Sequence, residues 1–274
     1  MQHIEVYVLS LAKAGPRRAS IRAHLDRLGV EYKIVDAVDG AAIPPDEQAK
    51  LIAPGANLQP SEIGCYLSHA AAWEFLLESP REAALILEDD ARLAPSTVPI
   101  LRRGVDYRAF DYLFLDVDNR NHDGLVAYDR DNRIDLGDHY TAYALSGGGE
   151  GAHAYIITKT EARRRLKVAL PIRRPVDVYD TLPYDIRFFA LVGKRGAFLS
   201  ADSLVSTITA RNHALHNIRF KNLRRWKLFY AVRELLAAWR PGPRRQIAEM
   251  VKNEKLPSGR RWLPLPGGRP VLFE

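Results

Sequence analysis

Apolar residues recur along the chain first as short unbroken runs, then at helical spacing, and the alternation sets out the elements. Ile4 to Leu11 is β-branched and apolar enough to predict a strand, and Ala12-Lys13-Ala14-Gly15-Pro16 breaks it. Arg17 to Leu28 carries Ile21, Leu25 and Leu28 on one helical stripe, with Gly29 as the stop. Val30 to Val35 predicts a second strand, running into Asp36-Ala37-Val38-Asp39-Gly40. A strand–helix–strand unit of this length opens an α/β sheet. In such folds ligands bind beyond the carboxyl ends of the strands, here around Ser10–Arg18 and Asp36–Gly40.

Residues 41–59, with Pro44, Pro45, Pro54 and Gly55, read as loop. Ser61 is a candidate N-cap for a helix reaching about Leu77, with Ile63, Leu67, Ala70, Ala71 and Leu77 near one face. Ala83 to Leu87 is apolar without interruption, as in a strand buried on both faces. Pro95 to Arg103 predicts a short helix, and Tyr112 to Leu115 a strand followed by Asp116-Val117-Asp118. Residues 119–139 read as an exposed insertion, and 146–151 as a flexible Gly-rich loop without a dinucleotide or phosphate-loop fingerprint. A strand over Ala152–Thr158, a helix over Thr160–Leu170 and a strand at Gly196–Ser200 complete the pattern.

Three consecutive carboxylates, Glu88, Asp89 and Asp90, stand at the end of the buried strand. On extended backbone Glu88 and Asp90 share one side while Asp89 takes the other. Two carboxylates on one side of a strand mouth do not both stay ionised cheaply unless a cation joins them. Hard oxygen ligands suit Mg²⁺ or Mn²⁺ shared with a diphosphate. Asp116-Val117-Asp118 competes as a metal motif.

Composition narrows the classes. At 47% hydrophobic, 274 residues are enough for one large core or two domains. No stretch reaches the roughly 20 apolar residues of a bilayer span, and no basic leader with an apolar core predicts a signal peptide. The one cysteine, Cys65, excludes an intrachain disulfide and a zinc site built from cysteines; it reads as a buried small apolar residue in a protein of a reducing cytoplasm. Residues 1–210 carry 25 Lys/Arg against 29 Asp/Glu, whereas residues 211–252 carry 11 against 2. The net charge of +7 therefore belongs to a C-terminal segment. That asymmetry points to an anionic partner for the segment.

Taken in order, these pieces resemble glycosyltransferase family 25, the lipooligosaccharide galactosyltransferase type that includes collagen galactosyltransferases. The resemblance rests on Val8-Leu9-Ser10-Leu11 with Arg17-Arg18, Asp36-Ala37-Val38-Asp39-Gly40, and Ser61-Glu62-Ile63-Gly64-Cys65 with Leu67-Ser68-His69. Leu85 to Asp90, Gly151 to Ile157, Pro175-Val176-Asp177 and Ser206-Thr207-Ile208 extend it over roughly residues 4–208. Pro16 stands where family members commonly have Glu.

The resemblance implies a GT-A-like, Rossmann-type nucleotide-sugar-binding domain over 1–210, a UDP-hexose donor (galactose foremost) and inversion at the anomeric carbon. Asp90 with Glu88 or Asp89 would hold Mn²⁺ or Mg²⁺ against the leaving diphosphate. Ser10, Leu11, Arg17, Arg18, Asp36, Ala37 and Asp39, with Glu62, Ser68 and His69 on the neighbouring helix, would line the nucleotide sugar. Inversion needs a base for the acceptor hydroxyl: Asp177 is the choice, Asp180 and Asp185 its rivals. His153 and Tyr155 would face the acceptor, and His213 or His216 could complete a metal site.

Residues 211–274 predict a basic, mostly helical extension. Over 218–240, Arg219, Lys221, Arg224, Arg225, Lys227 and Arg233 alternate with Trp226, Phe229, Tyr230, Leu235, Leu236 and Trp239, giving an apolar face with a basic flank. Such a helix either lies on an anionic membrane or packs on the domain. The acidic body argues against nucleic acid. Residues 241–274 read as an irregular tail. The expectation is thus a metal-dependent hexosyltransferase of surface-glycan synthesis, cytoplasmic and peripheral at the inner face of the membrane. Its rivals are a two-metal phosphoryl-transfer enzyme using Glu88, Asp90, Asp116 and Asp118, and a non-catalytic glycan- or lipid-binding adaptor.

Overall fold

The computed structural model describes residues 3–116, 125–145, 151–177, 186–191, 195–200, 249–252, 261–264 and 270–273. Strand β1 (Glu5–Ser10) leads into helix α1 (Gly15–Leu28) and β2 (Lys33–Asp36). Helices α2 (Pro45–Leu51) and α3 (Pro60–Glu78) follow, then β3 (Ala83–Glu88), β4 (Ala91–Leu93), α4 (Val98–Arg103) and β5 (Tyr112–Phe114). A hairpin of β6 (Leu125–Gly137) and β7 (Tyr140–Leu145) precedes β8 (Ala154–Thr158), α5 (Lys159–Lys167), β9 (Phe188–Leu191) and β10 (Ala197–Leu199). Near the C-terminus are β11 (Glu249–Lys252), β12 (Arg261–Pro264) and β13 (Pro270–Phe273).

Among the described residues a mixed nine-stranded sheet runs β11-β6-β7-β9-β5-β8-β3-β1-β2. Strand β1 pairs in parallel with β2 on one side and β3 on the other, and β5 is parallel to β9. The unbroken apolar runs of β1 and β3 follow from burial on both faces. Val6, Val8, Leu85 and Leu87 enter one core with Ile21 and Leu25 of α1. Tyr7, Leu9, Ala84 and Ile86 enter the other with Ala72, Trp73 and Leu76 of α3.

Three expectations for residues 1–145 change. Residues 41–59 are not all loop: Pro45 opens α2, and Gly40–Ala42 forms a 3₁₀ turn. Helix α3 is capped at Gln59, whose backbone N–H donates to Glu62 Oε2 at 2.6 Å, and not at Ser61. The supposed insertion at 119–139 is largely the β6–β7 hairpin. Its alternation is real, with Leu136 buried and Ile134 half-buried between exposed Arg133 and Asp135. Its turn, Asp138-His139, has both residues at positive φ (52° and 65°), as a two-residue hairpin loop requires, but without the usual Asn-Gly.

The described parts of 241–274 are strands and not an irregular tail, and β11 joins the main sheet against β6. The segment 218–240 lies outside the described residues, as do Asp118, Asp180, Asp185, Ser206 to Ile208, His213 and His216. Among the described residues no helix is long and apolar enough to cross a membrane.

Candidate active site

The carboxyl ends of β1, β2, β3 and β5 lie along one edge of the sheet, as their pairing requires. Because β2 and β3 flank β1 on opposite sides, the strand order reverses there, which opens a crevice at the β1 and β3 ends. Ser10 ends β1, Asp36 ends β2, and Glu88-Asp89-Asp90 ends β3. Asp116 follows β5, and His153 precedes the antiparallel β8, so both reach the same edge.

The three carboxylates have different surroundings. Ser10 Oγ donates to Asp89 Oδ2 at 2.7 Å, and Arg17 pairs with Asp89 Oδ1, so both Asp89 oxygens are engaged. Arg17 Nη2 also reaches Asp90 Oδ2 at 3.0 Å. Asp90 Oδ1 is buried and accepts no hydrogen bond. Burial and the nearby Glu88 push the Asp90 carboxyl up to about 6, although Arg17 opposes the shift. Burial would raise Glu88 as well, but His69, His153 and Arg17 outweigh it and hold that carboxyl below its ordinary value. Asp90 is therefore a buried acid with too little positive charge beside it, and its free oxygen and the Glu88 carboxylate fit a hard divalent cation.

The segments on the nucleotide side are tied to the same edge. Arg18 Nη2 donates to the Ser10 carbonyl and to Asp36 Oδ1, both at 2.6 Å, while the Asp36 side chain stays 73% exposed. Leu11 and Ala37 are half-buried beside them, with Ala37 N–H donating to the Ser10 carbonyl at 2.9 Å. Lys13 pairs with Asp39 and holds that carboxyl below its usual range.

Gly40 and Gly64 let this loop sit directly on α3. A Cβ at Gly40 would fall 1.6 Å from the Pro60 carbonyl oxygen, and one at Gly64 2.5 Å from the Val38 carbonyl. Ser68 Oγ accepts from Val38 N–H at 2.8 Å and donates to the Gly64 carbonyl at 2.6 Å. Two sequence motifs thus exist to pack on each other.

That packing corrects several expected contacts. Ser68 is 3% exposed and spent on the loop; Glu62 caps α3; His69 is fully buried. Tyr155, expected on the acceptor side, is fully buried as well. Its Oη lies 2.7 Å from His69 Nδ1 and accepts from Trp73 Nε1–H at 3.0 Å. These side chains support the mouth from behind. His153 is 5% exposed, places Nε2 3.4 Å from Asp116 Oδ2, and accepts the Glu88 N–H at its carbonyl at 2.9 Å. Asp116 also meets Arg195 Nε at 3.4 Å. Asp116 is thus a neighbour of the β3 motif, not an alternative elsewhere; Arg195 carried no sequence signal.

Asp177 is exposed, in a turn after the buried Val176. Beyond it the described chain resumes at Ile186, and β9 begins at Phe188. The segment before it is held by a bridge from Ile172 to Ile52, with Ala53 N–H donating to the Ile172 carbonyl at 2.8 Å. Cys65 is half-buried and packs against the core that holds Trp73 and Tyr155, and burial with Glu88, Asp177, Asp90 and Glu62 pushes its thiol well above its ordinary value.

The chain is similar in sequence to known proteins. Over 98 residues the chain is 33% identical to human "Procollagen galactosyltransferase 2" and 34% identical to human "Inactive glycosyltransferase 25 family member 3". Each match takes in 32% of this chain and 16% of the relative. A "Glycosyltransferase 25 family member" from Drosophila melanogaster is 24% identical over 196 residues, 65% of this chain and 30% of that protein. The chain thus spans less than a third of the length of these relatives. The family model described as "Glycosyltransferase family 25 (LPS biosynthesis protein)" matches residues 3–179, which contain Asp36, Glu88, Asp89, Asp90, Asp116 and Asp177. By its sequence over that span, the chain belongs to glycosyltransferase family 25.

Proposed function

We propose that the protein is an inverting, metal-dependent hexosyltransferase of GT-A type, which transfers galactose from UDP-galactose to a glycan acceptor of lipopolysaccharide or another surface glycan. The observation that carries this reading is Asp90, two residues from Glu88, whose Oδ1 is buried without a hydrogen bond at the reversal of strand order. Glu88 and Asp90 would hold Mn²⁺ or Mg²⁺, which when bound neutralises the charge of the leaving diphosphate. Asp89 positions Arg17, and Arg17 stands ready to meet a phosphate oxygen. Asp36, exposed at the end of β2, takes the nucleoside hydroxyls.

Asp177 accepts the proton of the acceptor hydroxyl as its oxygen bonds to the anomeric carbon; the carbon–oxygen bond to the diphosphate breaks on the opposite face and UDP leaves. The chain is equally similar to a galactosyltransferase and to an inactive family member. Identity alone does not separate the two, and the acidic mouth favours catalysis. A thermal-shift screen of nucleotide sugars with and without Mn²⁺ tests the reading. UDP-hexoses should raise the melting temperature only with the metal. Equal shifts for every nucleotide, or none, would refute it.

A further inference from the structure

The face of α3 turned toward the acidic mouth carries Cys65 and His69, four residues and about one turn apart. Glu88 closes the third side, and one ligand atom from each of the three lies within 4.8 Å of the others. His69 is fully buried, and its Nε2 makes no hydrogen bond. That nitrogen stops 3.5 Å from Glu88 Oε1. Two ligand atoms each about 2.0–2.1 Å from a tetrahedral zinc ion are about 3.3–3.4 Å apart. The imidazole and carboxylate therefore already stand at nearly the spacing of a shared cation.

We propose that Cys65, His69 and Glu88 form a binding site for a borderline divalent cation of the Zn²⁺ class. A thiolate and an imidazole prefer Zn²⁺ or Co²⁺ to the hard Mg²⁺ and Mn²⁺ that suit Glu88 with Asp90. The ring is oriented as a ligand would be: His69 Nδ1 lies 2.7 Å from Tyr155 Oη, which the Trp73 indole N–H fixes from the other side at 3.0 Å. Three protein ligands leave a fourth position, and the Glu88 side chain, 28% exposed, opens it toward the mouth. The site shares Glu88 with the proposed donor-cation set but depends on no step of glycosyl transfer.

Co²⁺ is the probe, because a thiolate bound to it gives a charge-transfer absorption in the near ultraviolet that oxygen and nitrogen ligands do not. Chelator-treated full-length protein titrated with Co²⁺ without oxygen should develop this band to one equivalent, and Zn²⁺ should remove it. Cys65→Ser should lose the band while keeping the wild-type circular dichroism; Cys65→Ala serves if the serine variant does not fold. Asp90→Asn should keep it. Folded wild-type protein without a thiolate band, or a band that survives in the Cys65 variant, would overturn the site. So would a band lost equally in Asp90→Asn, which would make Asp90 a required ligand beside the thiolate and replace the proposed set of three. Failure of the transferase reading would appear separately, as absent UDP-galactose turnover with the cobalt band intact.

Discussion

Asp90 bears the cost of gathering three carboxylates at one strand end. Its ordinary value is 3.8 and its folded value about 6, so between those pH values the folded chain holds a proton that the unfolded chain has released. Stability of the metal-free protein must therefore fall as pH rises through that window, then level off. A shift of about two units corresponds to roughly 2–3 kcal/mol. Denaturant titrations at pH 4 and pH 7 should show this loss in wild type and little of it in Asp90→Asn; identical pH profiles would mean that Asp90 is not strained. Asp177 calls for a kinetic test. Asp177→Asn should lower kcat by about a hundredfold or more with donor affinity nearly unchanged. Loss of UDP binding, or an early melt, would instead make Asp177 a structural residue.

At the scale of elements, the contact between the 36–40 loop and α3 decides how the crevice is built. Gly64→Ala must push its new methyl into the Val38 carbonyl and the Gly40 backbone. Overpacking of this kind costs about 1–3 kcal/mol, so thermal or urea unfolding should register it, and donor affinity should drop as the Asp36 loop shifts. Wild-type stability and affinity in this variant would show that the contact is not needed. The strands and helices of this half were legible because their patterns are strong: unbroken apolar runs for β1 and β3, and a helical stripe with its Gly29 stop for α1. The β6–β7 hairpin was not, because its outward positions Arg133 and Asp135 are charged and its turn lacks the usual dipeptide. The same limit applied within α3, where Ser68 and His69 stood in the right motif but are buried, Ser68 spent on the 36–40 loop and His69 held between Tyr155 and Glu88. Sequence spacing located the helix beside the crevice without showing which of its polar side chains the fold consumes.

Across the whole molecule, acidic and basic character separate. The crevice lies in the span matched by the family, and the excess positive charge lies in 211–252. If 218–240 holds the protein on an anionic membrane, sedimentation with vesicles containing anionic lipid should be strong at 0.1 M salt. It should weaken toward 1 M, as the screening length falls from about 10 Å to about 3 Å. Charge reversal at Arg224, Arg225 and Lys227 should remove most of the binding, and a wild-type protein that ignores such vesicles at low salt would end that reading. The location of the mouth was legible from the order of elements, since acids after β2, β3 and β5 must converge when those strands run the same way. The partition of labour among them was not. That Asp89 is engaged by Ser10 and Arg17 while Asp90 keeps a free oxygen depends on contacts between residues about 70 to 80 positions apart in the chain. The most direct test of the account is therefore UDP release from UDP-galactose with a glycan acceptor and Mn²⁺, comparing wild type with Asp90→Asn. Metal-dependent turnover that falls on the order of a thousandfold in the variant is the predicted result. Turnover within about threefold of wild type, or turnover indifferent to chelation, would contradict it.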